Sequence, residues 1–317
     1  MIIPFCKFEF MKNLYILLIL SLAGVISCDD QNDFEPPVEI TNSANVTVDG
    51  FERSFINNEI TGNTNCNMIY VTVSNFHEDE YAGYELDFDI SKQGDLIRVE
   101  YLERTGESGR IPFYLTHAFD PISTMNISDF MYDESSNDLS FNFSGTIFNE
   151  TDNSIQREIN GTIDVENHKE FECSIGLLTR MAYESNEFTF KDTYIRTSTY
   201  PNGSQRHIFY SNNGYRLEFN LNQQLGNLEL GTYPIVENNL PAFINLFKYT
   251  GPLIATQSPT IVNSDWNEYQ TSGTFTTTDK IEIDGGLKVK GYFDLDVIEN
   301  NEVIFKIDRM EFITFGN

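Results

Sequence analysis

The chain is poor in positive charge, tryptophan, histidine and cysteine, and each shortage narrows what it can do. Only 20 of its 317 residues are lysine or arginine, against 48 aspartates and glutamates, for a formal net charge of −28. A phosphate backbone must be met by clustered cations. Here the cations are scattered with no basic run, so nucleic acid is excluded as a partner. Such acidity instead keeps an exposed protein soluble and non-adherent to anionic polymers. The histidines number four, His77, His117, His168 and His207. None lies four residues from another, so the zinc-protease helix is absent. No G-x-S-x-G elbow occurs either, and nothing local places a nucleophile beside a base and an orienting carboxylate. Each histidine reads as a surface or turn residue, and no metal site or cofactor is expected.

Long apolar runs are also missing, with one partial exception. From Leu14 through Leu18, Leu20 and Leu22 to Ile26 the chain is almost continuously apolar. A membrane-spanning helix needs roughly 20 such residues to cross ~30 Å of hydrocarbon, and this run is shorter. Its basic start at Lys12 and small-residue end fit a secretory signal. Met11 lies directly before the core and is the better initiator, leaving residues 1–10 as an upstream extension. The run ends in Val25-Ile26-Ser27-Cys28, which resembles the lipobox of bacterial lipoproteins, with Ile26 bulkier than the pattern prefers. The resemblance implies that Cys28 takes a diacylglycerol and becomes the new N-terminus after cleavage. Two or three acyl chains on one residue anchor stably where one does not. Asp29, Asp30 and Asp33 follow at once, as in the surface-export signal of Bacteroidetes lipoproteins. That implies an outer-membrane address on the cell surface, the periplasmic face being the alternative.

Beyond the anchor only Cys66 and Cys173 remain. In an oxidising compartment they can pair, or stay as two buried thiols. Two cysteines are too few for a zinc site.

Residues 28–44, with Pro36-Pro37, read as a lipidated tether. From Asn45 the signal is period-two alternation, the mark of half-buried strands. Leu86, Phe88 and Ile90 alternate with Glu85, Asp87 and Asp89, read as a solvated face. Leu139, Phe141 and Phe143, then Leu217, Phe219 and Leu221, then Val303, Phe305 and Ile307 repeat the pattern. Asn160-Gly161, Asn213-Gly214 and Asp284-Gly285-Gly286 supply turn chemistry. Helical periodicity is weak, the best candidates being Ile175–Glu184 and a piece within Pro241–Tyr249. The fold class is mainly β, as tandem sandwiches or partly closed barrels.

Three segments recur at a spacing of about 130 residues, an internal repeat in the sense that marks duplicated units. Gly83–Ile90 returns as Gly214–Leu221, Ser144–Ile147 as Ser272–Phe275, and Gly161–Val165 as Gly291–Leu295. A duplicated domain follows: one β domain over 45–175, a linker over 176–187 and a second β domain over 188–317. The second copy resembles a small β domain of uncharacterised function in Bacteroidetes lipoproteins, through Gly231-Thr232-Tyr233-Pro234, Ser272-Gly273-Thr274-Phe275 and Val289–Phe293. That resemblance implies a β fold and an exported setting, with no activity attached.

Candidate ligand sites are few. His77-Glu78-Asp79-Glu80 is either a weak calcium loop or a solvated charge run. Asp133–Asp138 lacks the glycine and glutamate of a calcium loop and reads as a turn. Trp266 and Tyr269 could form a stacking platform for a sugar, or Trp266 could cap one end of the β core. The reading is a surface-anchored, non-catalytic binding or interaction module, with a carbohydrate-binding or glycan-processing accessory protein as the alternative.

Overall fold

The computed structural model describes residues 41–56, 59–75, 82–105, 111–166, 168–171, 173, 180–182, 196–235 and 242–317. Residues 41–317 form one compact unit. Cys28 and the His77–Glu80 cluster lie outside the described residues.

The first sheet has eleven strands. They are β1 (Ser43–Val48), β2 (Phe51–Ile56), β3 (Ile60–Asn65), β4 (Met68–Ser74), β5 (Ala82–Ser91), β6 (Leu96–Thr105), β7 (Phe113–Leu115), β8 (Met125–Asp133), β9 (Asp138–Asn149), β10 (Gln156–Val165) and β11 (Lys169–Phe171). The spatial order is β11-β3-β4-β5-β6-β7-β9-β10-β1-β2, with β8 paired to β9. The second sheet comprises β12 (Arg180–Ala182), β13 (Arg196–Thr199), β14 (Gln205–Tyr210), β15 (Tyr215–Leu221), β16 (Gly231–Ile235), β17 (Ala242–Tyr249), β18 (Trp266–Ile283), β19 (Gly286–Glu299) and β20 (Glu302–Phe315). Its order is β12-β20-β19-β18-β16-β17-β15-β14-β13. The protein is mainly β, built on two sheets of which neither closes into a barrel.

Each sheet curls around its own core, because alternate residues of nearly every strand meet in one cluster. In the first these include Val46, Val71, Phe88, Val99, Phe141 and Ile163; in the second, Phe209, Phe219, Leu246, Phe275, Phe293 and Phe312. Curling brings Gly62 of β3 against Val165 and His168 beyond β10. Aromatic edges lock both cores, with Phe88 against Phe143 at 4.8 Å and Phe219 against Phe275 at 4.9 Å.

The repeat anchors fall on corresponding strands: β5 and β15, β9 and β18, β10 and β19. Their four hairpin glycines share a steric reason. A Cβ on Gly145, Gly161, Gly273 or Gly291 would stand 2.1–2.2 Å from a neighbouring carbonyl oxygen, so each strand's backbone approaches too closely for any side chain. Two features break strict duplication. Gly145 faces Ile159 while Gly273 faces Leu295, so the hairpin registers differ. The place beside β10 is filled by N-terminal β1, whereas the place beside β19 is filled by C-terminal β20.

Several expectations need correction. Both helix candidates contain strand: Arg180–Ala182 is β12, inside the expected linker, and Ala242–Tyr249 is β17. Among the described residues there is no α-helix. Val303 is exposed near the β19–β20 turn rather than inward, while Ile307 is fully buried. Cys66 and Cys173 form a disulfide with Cα atoms 4.6 Å apart. It ties the β3–β4 turn to the residues after β11, whose three pairs with β3 are parallel.

Candidate functional site

The first candidate, Trp266 with Tyr269, is taken apart by strand geometry. Both lie on β18, and an odd separation sends their side chains to opposite faces. Tyr269 packs on the core of the second sheet, and Trp266 joins a separate cluster on its outer face with Phe119, Ile208, Tyr210 and Tyr249. Phe119 comes from the loop after β7, so this cluster is the joint between the two sheets. Its ring meets Trp266 edge-on at 4.9 Å and Tyr249 at 5.0 Å. Trp266 is 6% exposed and has no free face for a sugar, which removes it as a stacking platform.

Polar contacts reinforce the joint. The backbone N–H of Ala118 donates to Ile254 O at 2.7 Å, and that of Gly214 to Phe119 O at 2.9 Å. Asn212 Nδ2 donates to Leu96 O at 3.1 Å, and Gln257 Nε2 to Glu100 Oε1 at 2.7 Å. His117 shapes the loop, since its Nδ1 accepts from the N–H groups of Phe119 and Asp120.

Beneath Trp266 lies a buried ion cluster that alternation alone places on a solvated face. The Arg216 guanidinium is held between Phe247 and Trp266, 4.2 and 4.4 Å from their ring centres. Its Nε stands 3.1 Å from Glu218 Oε1, and Arg206 meets the other oxygen of the same carboxylate. Arg216 and Glu218 are 2% and 5% exposed. Burial pulls Arg216 below its ordinary range, but an arginine remains charged there.

The acidic face of the first sheet is likewise not simply solvated. Asp89 pairs with Arg98 at 3.0 Å, and Thr72 Oγ1 donates to Asp87 Oδ1 at 2.5 Å. Desolvation raises the carboxyls of Glu85, Asp87 and Glu100. The Asp133–Asp138 segment is the β8–β9 turn, where Asp133 Oδ1 accepts from the N–H and hydroxyl of Ser135.

The described histidines are buried, contrary to the surface or turn reading. His117 is 7% exposed, His168 4% and His207 0%. His168 bridges Asn137 O through Nδ1 and the Thr64 hydroxyl through Nε2. His207 Nδ1 meets the hydroxyls of Thr197 and Thr314 at 3.1 and 3.0 Å, and its Nε2 has no partner among the described residues. Each is enclosed in packing that a substrate does not reach.

Burial alone drives His207 down to about 3 from an ordinary 6.5. Between those values the unfolded chain binds a proton that the folded one refuses. Stability therefore falls as pH drops through the window, by up to about 1.4 kcal/mol per pH unit. His168 shifts in the same direction. The raised carboxyls act oppositely, because the folded state protonates first. In urea melts from pH 7 to pH 4, His207→Gln is expected to flatten the profile relative to the unaltered protein, with the carboxyls common to both. Parallel profiles would defeat the assignment.

An open cavity lies on the outer face of the β18–β19–β20 meander. It measures about 320 Å³ and is lined by Thr278, Lys290, Gly291, Tyr292, Arg309, Glu311, Phe312 and Ile313. The register of β18 against β19 slips between Thr277 and Asp279, and that of β19 against β20 between Phe293 and Leu295. Such bulges re-aim side chains. Arg309 sits at the second bulge with φ of +51°, its N–H donating to Asp294 Oδ1 at 2.7 Å. The guanidinium lies over the Tyr292 ring at 4.6 Å, with its Nε 3.7 Å from Glu311.

Sequence reasoning missed these residues. The available signal was Lys288 and Lys290 on one phase of β19, whereas Arg309 falls on the phase of Val303, Phe305 and Ile307, which alternation reads as inward. Among the described residues no cluster of histidine, cysteine and carboxylate could hold a metal ion. Comparison with protein-family models, curated proteins and solved structures finds no match to this chain.

Proposed function

We propose that the chain is a lipid-anchored, outer-membrane lipoprotein, displayed on the cell surface, that binds a ligand without transforming it. The observation that carries the binding half is the outer-face cavity. It offers cations on a three-stranded meander, while the described histidines are enclosed elsewhere. The Cys66–Cys173 bridge supports export, since such bonds persist in oxidising compartments. The anchor half rests on Val25-Ile26-Ser27-Cys28 and the acidic residues after it. The joint supports a display role, because it holds both sheets as one body at the end of a tether. The second reading, a glycan-binding accessory, is favoured by Tyr292 and Thr278 lining the same cavity.

The anchor has a direct test. Cys28→Ala is expected to move the protein from the membrane to the soluble fraction on cell fractionation. Continued retention in membranes would sink the assignment. Protease shaving of intact cells separates surface display from the periplasmic face, since only displayed protein is cleaved.

A further inference from the structure

Cations in this chain are scarce, and several are held closely by carboxylates. Lys92, Arg98, Arg157 and Lys306 each stand 2.9–3.1 Å from a carboxylate oxygen. The cavity on the β18–β20 face departs from that pattern. Arg309 is 3.7 Å from the nearest Glu311 oxygen, beyond hydrogen-bond length, so among the described residues no carboxylate is hydrogen-bonded to its planar fork. Lys290 has no carboxylate partner among the described residues. The lining carries two cations, Lys290 and Arg309, and one carboxylate, Glu311, with Asp279 paired across from Lys290 and Asp294 Oδ1 accepting from the Arg309 N–H.

We infer that this cavity binds one carboxylate-bearing sugar residue, a hexuronate or its equivalent, with Arg309 clamping the carboxylate and Lys290 adding the second charge. This deepens the binding reading above and rests on it. Arginine's planar fork matches a carboxylate in bidentate fashion. Tyr292 positions that fork by stacking beneath it. Thr278 and Glu311 stand where ring hydroxyls can donate or accept. About 320 Å³ lies at the small end of the roughly 300–1,000 Å³ of small-molecule sites, which suits one ring rather than an oligosaccharide chain. Inorganic phosphate shares the negative charge but lacks the ring hydroxyls that Thr278 and Glu311 would meet.

Calorimetric titration of the full chain in detergent micelles with D-glucuronate, D-glucose and inorganic phosphate tests this. Glucuronate is expected to bind one to one, and glucose at least about tenfold more weakly, as loss of a charge-assisted pair requires. Arg309→Gln should weaken glucuronate by about tenfold or more and Lys290→Gln by less. Lys306→Gln, outside the cavity, should leave it unchanged. All three positions face outward, and matched melting curves confirm folding. Equal affinity for glucose and glucuronate, tighter phosphate, no glucuronate binding, or indifference to Arg309→Gln overturns the inference. The broader reading fails separately: it falls if the chain converts a bound glycan to product, and it survives if another ligand binds independently of Arg309.

Discussion

Glu218→Ala is expected to destabilise the protein by about 3–5 kcal/mol, because it leaves a buried charge without its partner. Arg216 is 2% exposed and enclosed by Phe247 and Trp266, so it cannot turn to water without opening the joint. Arg206 also loses its partner, but its side chain is 35% exposed and can rehydrate. The loss is large against net stabilities of roughly 5–15 kcal/mol. The pair itself need not stabilise, since desolvation of both ions opposes their attraction. Replacing both together, Arg216→Met with Glu218→Leu, should therefore recover most of the loss. Urea melts of the single and double variants decide it. A single-variant loss under about 1 kcal/mol would show that water already reaches Arg216.

Removing the disulfide is the second large effect. Cys66 and Cys173 are 107 residues apart, and a loop of that length is worth about 4–5 kcal/mol in the chain-entropy model. Cys66→Ala with Cys173→Ala should lower the urea midpoint accordingly and steepen the transition, because the uncrosslinked unfolded chain exposes more surface. The local consequence is at β11, whose three residues are exposed and which, among the described residues, pairs with β3 alone. Its amides should exchange with solvent far faster once the bridge is gone, while the Phe88 and Phe141 region stays protected. A loss below about 1 kcal/mol would mean that the unfolded chain is compact without the bridge.

The architecture was readable where one strand face is apolar and the other is not. Leu86, Phe88 and Ile90, and likewise Leu217, Phe219 and Leu221, are all buried. The glycine anchors were visible as a repeat, although their cause, a neighbouring carbonyl oxygen at 2.1–2.2 Å, is visible only in three dimensions. The readings failed where both faces are covered. In β17, Ala242, Ile244 and Leu246 face the core, while Phe247 and Tyr249 turn toward the joint. Apolar residues on both phases erase the alternation and leave a run that reads as a helix piece. Arg216 and Glu218 looked solvated for the converse reason: polar residues on an outward phase carry no mark of the Trp266 layer above them. The cavity was hidden because bulges bring Thr278 and Arg309 together, and a bulge breaks the period on which strand reading depends.

Lipid on Cys28 is proposed to hold this exported protein to a membrane. Intact-mass spectrometry of the chain extracted from its native membranes tests it most directly. A protein beginning at Cys28 is expected, carrying the added mass of a diacylglycerol, with Cys66 and Cys173 oxidised. An unmodified chain that retains residues 11–27, with both thiols free, would contradict it.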